Sequence, residues 1–280
     1  MRPAPPPSLQ TRGYALVVTA AVLWGLIGLF ARTILDAGVG PLEIAFWRAL
    51  IAGGAFALHA RLAGRSKLRS ARDLGLLAAF ALVGVTLFYA SLNLAIDAGG
   101  VSLAFVLLYT APAFVAVLAW PLLGERLTRR KGALVLLAVA GVVLVAQAGG
   151  GGVHATPAAV AWGLASGASY ATYYLFGKWV LHRYAPVTIF AVVLPIGALG
   201  LLPFVDFVPK ASDTWAWLAV LGLVSTYLAY LVYYTGLRTT EASRAVLVAT
   251  VEPVVAAAIA AIAFGERLGG VGWTGAALIL

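Results

Sequence analysis

Apolar runs of about twenty residues, separated by short polar connections with few charges, recur along the whole chain. In order they cover approximately residues 13–35, 41–62, 73–96, 100–122, 129–148, 157–181, 186–204, 213–237, 242–264 and 270–280, and predict ten helices. At a rise of about 1.5 Å per residue, about twenty residues cross a hydrocarbon core of about 30 Å. The first nine runs meet that length. The tenth, ending at Leu280, does not, and reads as a truncated helix.

One run occurs twice. Residues 102–127 read SLAFVLLYTAPAFVAVLAWPLLGERL, and residues 243–268 read SRAVLVATVEPVVAAAIAAIAFGERL. Without a gap, Ser102 aligns with Ser243, Pro112 with Pro253 and Gly124–Leu127 with Gly265–Leu268, at a constant offset of 141. Both copies carry a proline near the middle, tolerated in a membrane helix where neighbours satisfy the freed carbonyl. They are the fourth and ninth runs, so the repeating unit has five helices. Five is odd, so the second unit must enter the membrane upside down. The predicted fold is therefore an all-α integral membrane protein with ten transmembrane helices in a 5+5 inverted repeat. A cytoplasmic tail (1–12) containing the Pro-rich stretch Pro3–Pro7 precedes the units, which span residues 13–148 and 157–280. Arg32 against Lys178 and Pro41 against Pro186 are weaker echoes of the same repeat. Architectures of this kind bind near the midplane, between the halves.

Composition agrees with a membrane setting. Hydrophobic residues make up 62% of the chain and charged residues 10%, against about 25% charged in ordinary soluble domains. The absence of cysteine rules out disulfides and thiolate metal sites. A net charge of +9 would suggest nucleic acid in a soluble protein, but here its distribution explains it. With the N-terminus inside, fifteen of the nineteen Lys and Arg fall at inner helix ends, and only Arg32, Arg48, Lys210 and Arg267 do not. That bias predicts a cytoplasmic N-terminus. The first run is too long for a cleavable signal, so it counts as a span.

Ionisable groups inside the spans are the first candidates for chemistry, because each is costly there. Glu252 lies near the middle of the ninth run, either as a substrate-amine or proton-coupling carboxylate or as a structural one paired with Arg32 or Arg48. Its counterpart in the first copy is Ala111, so the two halves are chemically unequal. Arg48 reads as a buried charge in a structural pair with Glu252 or a helix C-terminus, with a substrate carboxylate as the alternative, and Glu43 reads as interfacial. Aromatics are the second group. Tyr227, Tyr230 and Tyr234 follow i, i+3, i+7, as Ser166, Tyr170, Tyr173 and Gly177 share one face of the sixth run. Trp24, Phe88, Tyr89 and Tyr109 also lie inside runs. A tyrosine hydroxyl in lipid lacks a partner, so these faces point inward. The candidate substrate wall is Trp24, Tyr89, Tyr109, Tyr170, Tyr173, Tyr227 and Tyr230, with Glu252; interhelical packing is the plainer alternative. Trp162, Trp215 and Trp217 read as interfacial anchors. Gly25 with Gly28, Gly53 with Gly54 and Gly163 with Gly167 read as sites of close helix approach. Pro112 and Pro253 are candidate hinges, with static kinks as the alternative.

Enzymatic signatures are missing from the sequence. His59, His154 and His182 are scattered near span ends, and there is no HExxH, GxSxG or phosphate-binding loop. The run Gly149–Gly152 has no strand–helix context. No catalytic residue, metal ligand or cofactor is expected, and no nucleotide site that would make ATP the energy source.

The paired P…GERL runs, the Glu252-Pro253 step, Trp24-Gly25 and the ten-run count resemble the EamA branch of the drug/metabolite transporter superfamily across nearly the whole chain. That resemblance implies a bacterial inner-membrane exporter of amino acids and other metabolites, with a glutamate at the Glu252 step whatever the substrate. The aromatic load is most similar to the aromatic amino-acid and paraquat exporters (YddG-type). The expected partners are a small-molecule substrate, amino acids or related metabolites, and membrane lipid, without nucleic acid and with the protein as a monomer. The rival readings are a broad exporter of flat organic cations, a membrane enzyme on lipid-linked substrates, and a scaffold without a cavity.

Overall fold

The structure, a computed structural model, describes residues 7–126, 128–148, 156–264 and 269–279. The head up to Pro6, Leu127, the run Gly149–Gly152, His154, the second GERL motif and Leu280 lie outside the described residues, as does the side chain of Ser102.

Every predicted run is largely helical where it is described. The helices are α1 (Pro7–Gly25), α2 (Ile27–Asp36), α3 (Pro41–Leu62), α4 (Ala71–Ala81), α5 (Phe88–Gly99), α6 (Val101–Leu108), α7 (Ala111–Leu123) and α8 (Arg129–Ala148). They continue as α9 (Pro157–Val180), α10 (Pro186–Leu201), α11 (Ser212–Gly222), α12 (Ala229–Leu237), α13 (Ala242–Ala249), α14 (Glu252–Phe264) and α15 (Gly270–Ile279). Local chemistry sets the ends. Thr156 and Ser70 cap Ala159 N and Asp73 N, at 3.1 and 3.2 Å. Proline opens α3, α9 and α10 where its missing N–H costs nothing. Gly124 ends α7 in the left-handed conformation, at φ 72°.

Among the described residues, seven helical stretches are long and apolar enough to cross a membrane by length and composition. These are Ser8–Asp36, Pro41–Leu62, Ala71–Gly99, Leu103–Leu123, Pro186–Phe204, Ser212–Leu237 and Ala242–Ala263. α8, α9 and α15 are not in that set. α9 carries Ser166, Ser169, Tyr170, Thr172, Tyr173 and Tyr174, which lower its hydropathy.

Two interruptions shape the interior. α6 gives way to α7 at Tyr109–Thr110, and α13 to α14 at Thr250–Val251. Pro112 and Pro253 therefore sit in the first turn of a new helix, where proline needs no N–H partner, rather than in mid-helix. At each break the threonine bonds back on the preceding turn: Thr110 Oγ1 donates to Leu107 O at 2.5 Å and Thr250 Oγ1 to Leu247 O, carbonyls that also accept the Thr110 and Thr250 amides. π-helical turns at Leu82–Leu87 and Leu223–Leu228 interrupt the third and eighth runs. The starts of α4, α6, α7 and the first π-turn recur 141 residues later, in α11, α13, α14 and the second π-turn.

The packing crosses between the two halves of the chain. α3 lies against α10, α5 and α6 against α9, α1 against α12 and α14, α7 against α13, and α8 against α15. Several glycines allow this closeness. A Cβ on Gly167 would come within 2.7 Å of Leu107 O at the α6–α7 break, and one on Gly25 within 2.6 Å of Val255. Gly28 and Gly54, expected to serve the same purpose, face nothing within 4 Å.

Candidate functional site

A cavity of about 690 Å³ occupies the middle of the bundle, within the range of about 300–1,000 Å³ usual for small-molecule sites. It runs from a layer of tyrosines toward the end of the bundle that carries Leu35, Pro41, Ile96 and Val101. Leu35 and Val101 at that end are 43% and 58% exposed.

The structure brings Trp24, Tyr89, Tyr109, Tyr170, Tyr173, Tyr230 and Glu252 to this one cavity, together with Arg48 and Pro253. α1, α5, α9 and α12 present the rings, which lock one another in place. Trp24 meets Tyr230 edge-on at 5.8 Å and Tyr233 at 5.1 Å. Tyr170 stacks on Phe88 at 5.4 Å, and Tyr173 meets Tyr230 at 5.6 Å. Tyr234 Oη donates to Tyr173 O at 2.7 Å, tying α12 to α9. The hydroxyls of Tyr173 and Tyr233 are buried without a hydrogen-bond partner.

Tyr227 is the exception among the predicted wall residues. It does not line the cavity; its hydroxyl lies 2.8 Å from His59 Nδ1, and its ring packs on Phe56 at 4.7 Å. The cause is the π-turn at Leu223–Leu228, whose wider turn breaks the 3.6-residue phase on which the Tyr227–Tyr230–Tyr234 face was drawn. Tyr233, three residues after Tyr230 on α12, and Tyr174 on α9 also line the cavity.

The buried charges also differ from expectation. Arg48, 7% exposed, makes no ion pair with Glu252. Instead its Nε donates to Thr226 Oγ1 at 3.1 Å, while the Thr226 hydroxyl donates to Leu221 O at 3.2 Å. The guanidinium lies over the Tyr89 ring at 5.8 Å. Glu252 opens α14 beside the break and faces the Tyr109 hydroxyl. Glu43 is buried in the first turn of α3. It is 1% exposed, pairs with Lys210, accepts from Trp47 Nε1 at 3.1 Å and accepts from Val208 N at 3.2 Å. The tryptophans Trp162, Trp215 and Trp217 are 38–39% exposed.

The end of the bundle opposite the mouth is tied shut. The Glu125 carboxylate, from the first GERL motif, accepts from Ala242 N at 2.7 Å, Ser243 N at 3.0 Å and Ser243 Oγ at 2.6 Å. It caps the N-terminus of α13, where a negative charge is favoured. Lys178 Nζ donates to the carbonyls of Leu237 and Thr240 past the end of α12, and Lys131 pairs with Glu241 at 2.9 Å. In the sequence Glu125 stands out only as part of the repeated GERL motif. Among the described residues, no group of three or more His, Cys, Asp or Glu is placed to hold a metal.

Helices of this length around an aromatic cavity, open toward one end and latched at the other, define a membrane transporter. Sequence comparison agrees. The profile of the EamA-like transporter family matches residues 11–147 and again 157–280, and the chain belongs to that family. An uncharacterized transporter of Archaeoglobus fulgidus is 31% identical over 261 residues, covering 91% of this chain and 90% of that protein. A probable terminal-alkyne amino-acid exporter of Streptantibioticus cattleyicolor is 32% identical over 194 residues, covering 68% of this chain and 62% of that protein. One solved crystal structure shares the fold, with a TM-score of 0.83 at 19% identity over 96% of this chain and 94% of that one.

Proposed function

We propose that this protein is a bacterial inner-membrane exporter of small metabolites, amino acids including aromatic ones foremost, working by alternating access. The carrying observation is the aromatic cavity, open toward one end of the bundle and latched by Glu125 at the other. The family's ten-helix, 5+5 inverted-repeat reading is supported by the two matched segments, by the 141-residue register of the breaks and π-turns, and by helix pairing across the halves. The bias of basic residues supports an N-terminus in the cytoplasm. In that orientation the mouth faces outward, and the Glu125 latch seals the cytoplasmic side.

Flat aromatic walls suit aromatic side chains, and the name of the Streptantibioticus relative makes amino acids the leading class. The breaks before Pro112 and Pro253 divide α6 from α7 and α13 from α14 at the level of the cavity. Rotation of the half-helices about them would close the mouth and release the latch.

Counterflow in proteoliposomes at equal pH tests this reading. Labelled phenylalanine or threonine outside should accumulate against unlabelled amino acids inside, and Tyr109→Ala and Tyr230→Ala should abolish most of that exchange. Exchange restricted to paraquat, or absent for every amino acid, would overturn the substrate assignment.

A further inference from the structure

Two opposite charges face the same cavity without pairing. Arg48 is fixed through Nε by Thr226 and by the ring of Tyr89, which leaves its terminal nitrogens without a hydrogen bond among the described residues. Glu252 reaches the cavity from the start of α14 and faces Tyr109. An unpaired charge in an apolar, membrane-embedded setting is expensive, and two of opposite sign would gain by meeting. Here they are held apart by separate anchors, Arg48 on α3 by the π-turn and Glu252 by the α13–α14 break. Both residues line the cavity together with the rings of Trp24, Tyr170 and Tyr230.

We infer that Arg48 and Glu252 are the two ends of a clamp for a zwitterion. The guanidinium receives the carboxylate of an α-amino acid and the Glu252 carboxylate receives its ammonium group. The side chain lies against the rings of Trp24, Tyr170 and Tyr230. This rests on reading the cavity as the transport site, and it names what that site selects. A zwitterion neutralises both charges at once. An amine lacking the carboxylate leaves Arg48 unmatched, and an acid lacking the amine does the same to Glu252. A flat dication such as paraquat suits Glu252 but brings positive charge toward Arg48, so the clamp disfavours the cation-exporter reading.

The test is isothermal titration of the purified full-length chain with phenylalanine, phenethylamine, 3-phenylpropionate and paraquat, alongside counterflow with a broad panel of metabolites. Phenylalanine should bind at least about thirtyfold more tightly than either single-charge analogue. Arg48→Gln should remove the advantage over phenethylamine, Glu252→Gln the advantage over 3-phenylpropionate, and Arg48→Lys should restore part of the first. If a variant fails to fold, the ligand series on the unaltered protein still decides. Equal binding of phenylalanine and phenethylamine would overturn the Arg48 end, and equal binding of 3-phenylpropionate the Glu252 end. Counterflow of other metabolites with no amino acid bound would overturn the clamp and leave the carrier standing. Charge-dependent binding without counterflow of any panel member would leave the clamp standing and overturn the carrier.

Discussion

At the scale of single residues, the structure separates charges that hold the protein together from charges that face its cavity. Glu43 and Lys210 belong to the first kind, each buried and each the other's partner. Removing one partner of a buried pair leaves an uncompensated charge, at a cost of about 3–5 kcal/mol. We therefore expect Lys210→Met to lower the Tm in detergent sharply, and Glu43→Gln combined with Lys210→Met to recover much of the loss. A thermal melt of the three variants checks this, and an unchanged Tm for Lys210→Met would contradict the pairing. Tyr227 and Tyr230 make a second contrast. Tyr227→Phe should leave phenylalanine affinity unchanged, because that hydroxyl serves His59, whereas Tyr230→Ala should weaken it at least about tenfold. Much of the wall was legible from one rule, that a tyrosine hydroxyl has no partner in lipid. It located Tyr109, Tyr170, Tyr173 and Tyr230 because each lies inside an apolar run. It misassigned Tyr227, since a π-turn leaves no mark in hydrophobic periodicity, and it passed over Tyr174 and Tyr233, which lie on regular helices beside the residues it found. Arg48 shows a further limit: the sequence revealed a buried charge, but its Thr226 partner lies 178 residues away.

At the scale of helices, the predicted limits agree with the observed ones to within a few residues at most ends, because hydropathy and the prolines at 41, 157 and 186 set them locally. The breaks inside α6–α7 and α13–α14 were legible only as prolines. The physical event lies just upstream, at Tyr109–Thr110 and Thr250–Val251, where the threonine hydroxyls bond back to Leu107 O and Leu247 O. If these breaks act as hinges, Pro253→Ala should leave equilibrium affinity for phenylalanine intact and slow counterflow several-fold. Equal counterflow rates would make the break a static feature. Helix approach gives a stability test. Gly167→Ala places a Cβ within 2.7 Å of the Leu107 carbonyl and should cost about 1–3 kcal/mol, visible as a lowered Tm, while Gly28→Ala meets nothing within 4 Å and should be neutral.

At the scale of the whole molecule, the account rests on a cavity reached from one side at a time. The membrane class and the repeat were readable from composition and from one motif pair. The way the halves interleave was not, because pairings such as α3 with α10 and α1 with α12 join residues far apart in the chain. Neither was the Glu125 latch, whose partners Ala242 and Ser243 lie 117 and 118 residues away. The chain has no cysteine, so single probes can be read without background. The most direct measurement is labelling of Leu35→Cys and Ala242→Cys, one at a time, by a membrane-impermeant maleimide applied to either face of sealed vesicles. The account predicts that Leu35→Cys reacts from the outer face and that Ala242→Cys is protected. Adding Glu125→Gln should reverse the pattern, exposing Ala242→Cys to the cytoplasmic face and slowing the reaction of Leu35→Cys. If Glu125→Gln changes neither rate, or raises both together, the two ends are not coupled and alternating access through this cavity is contradicted.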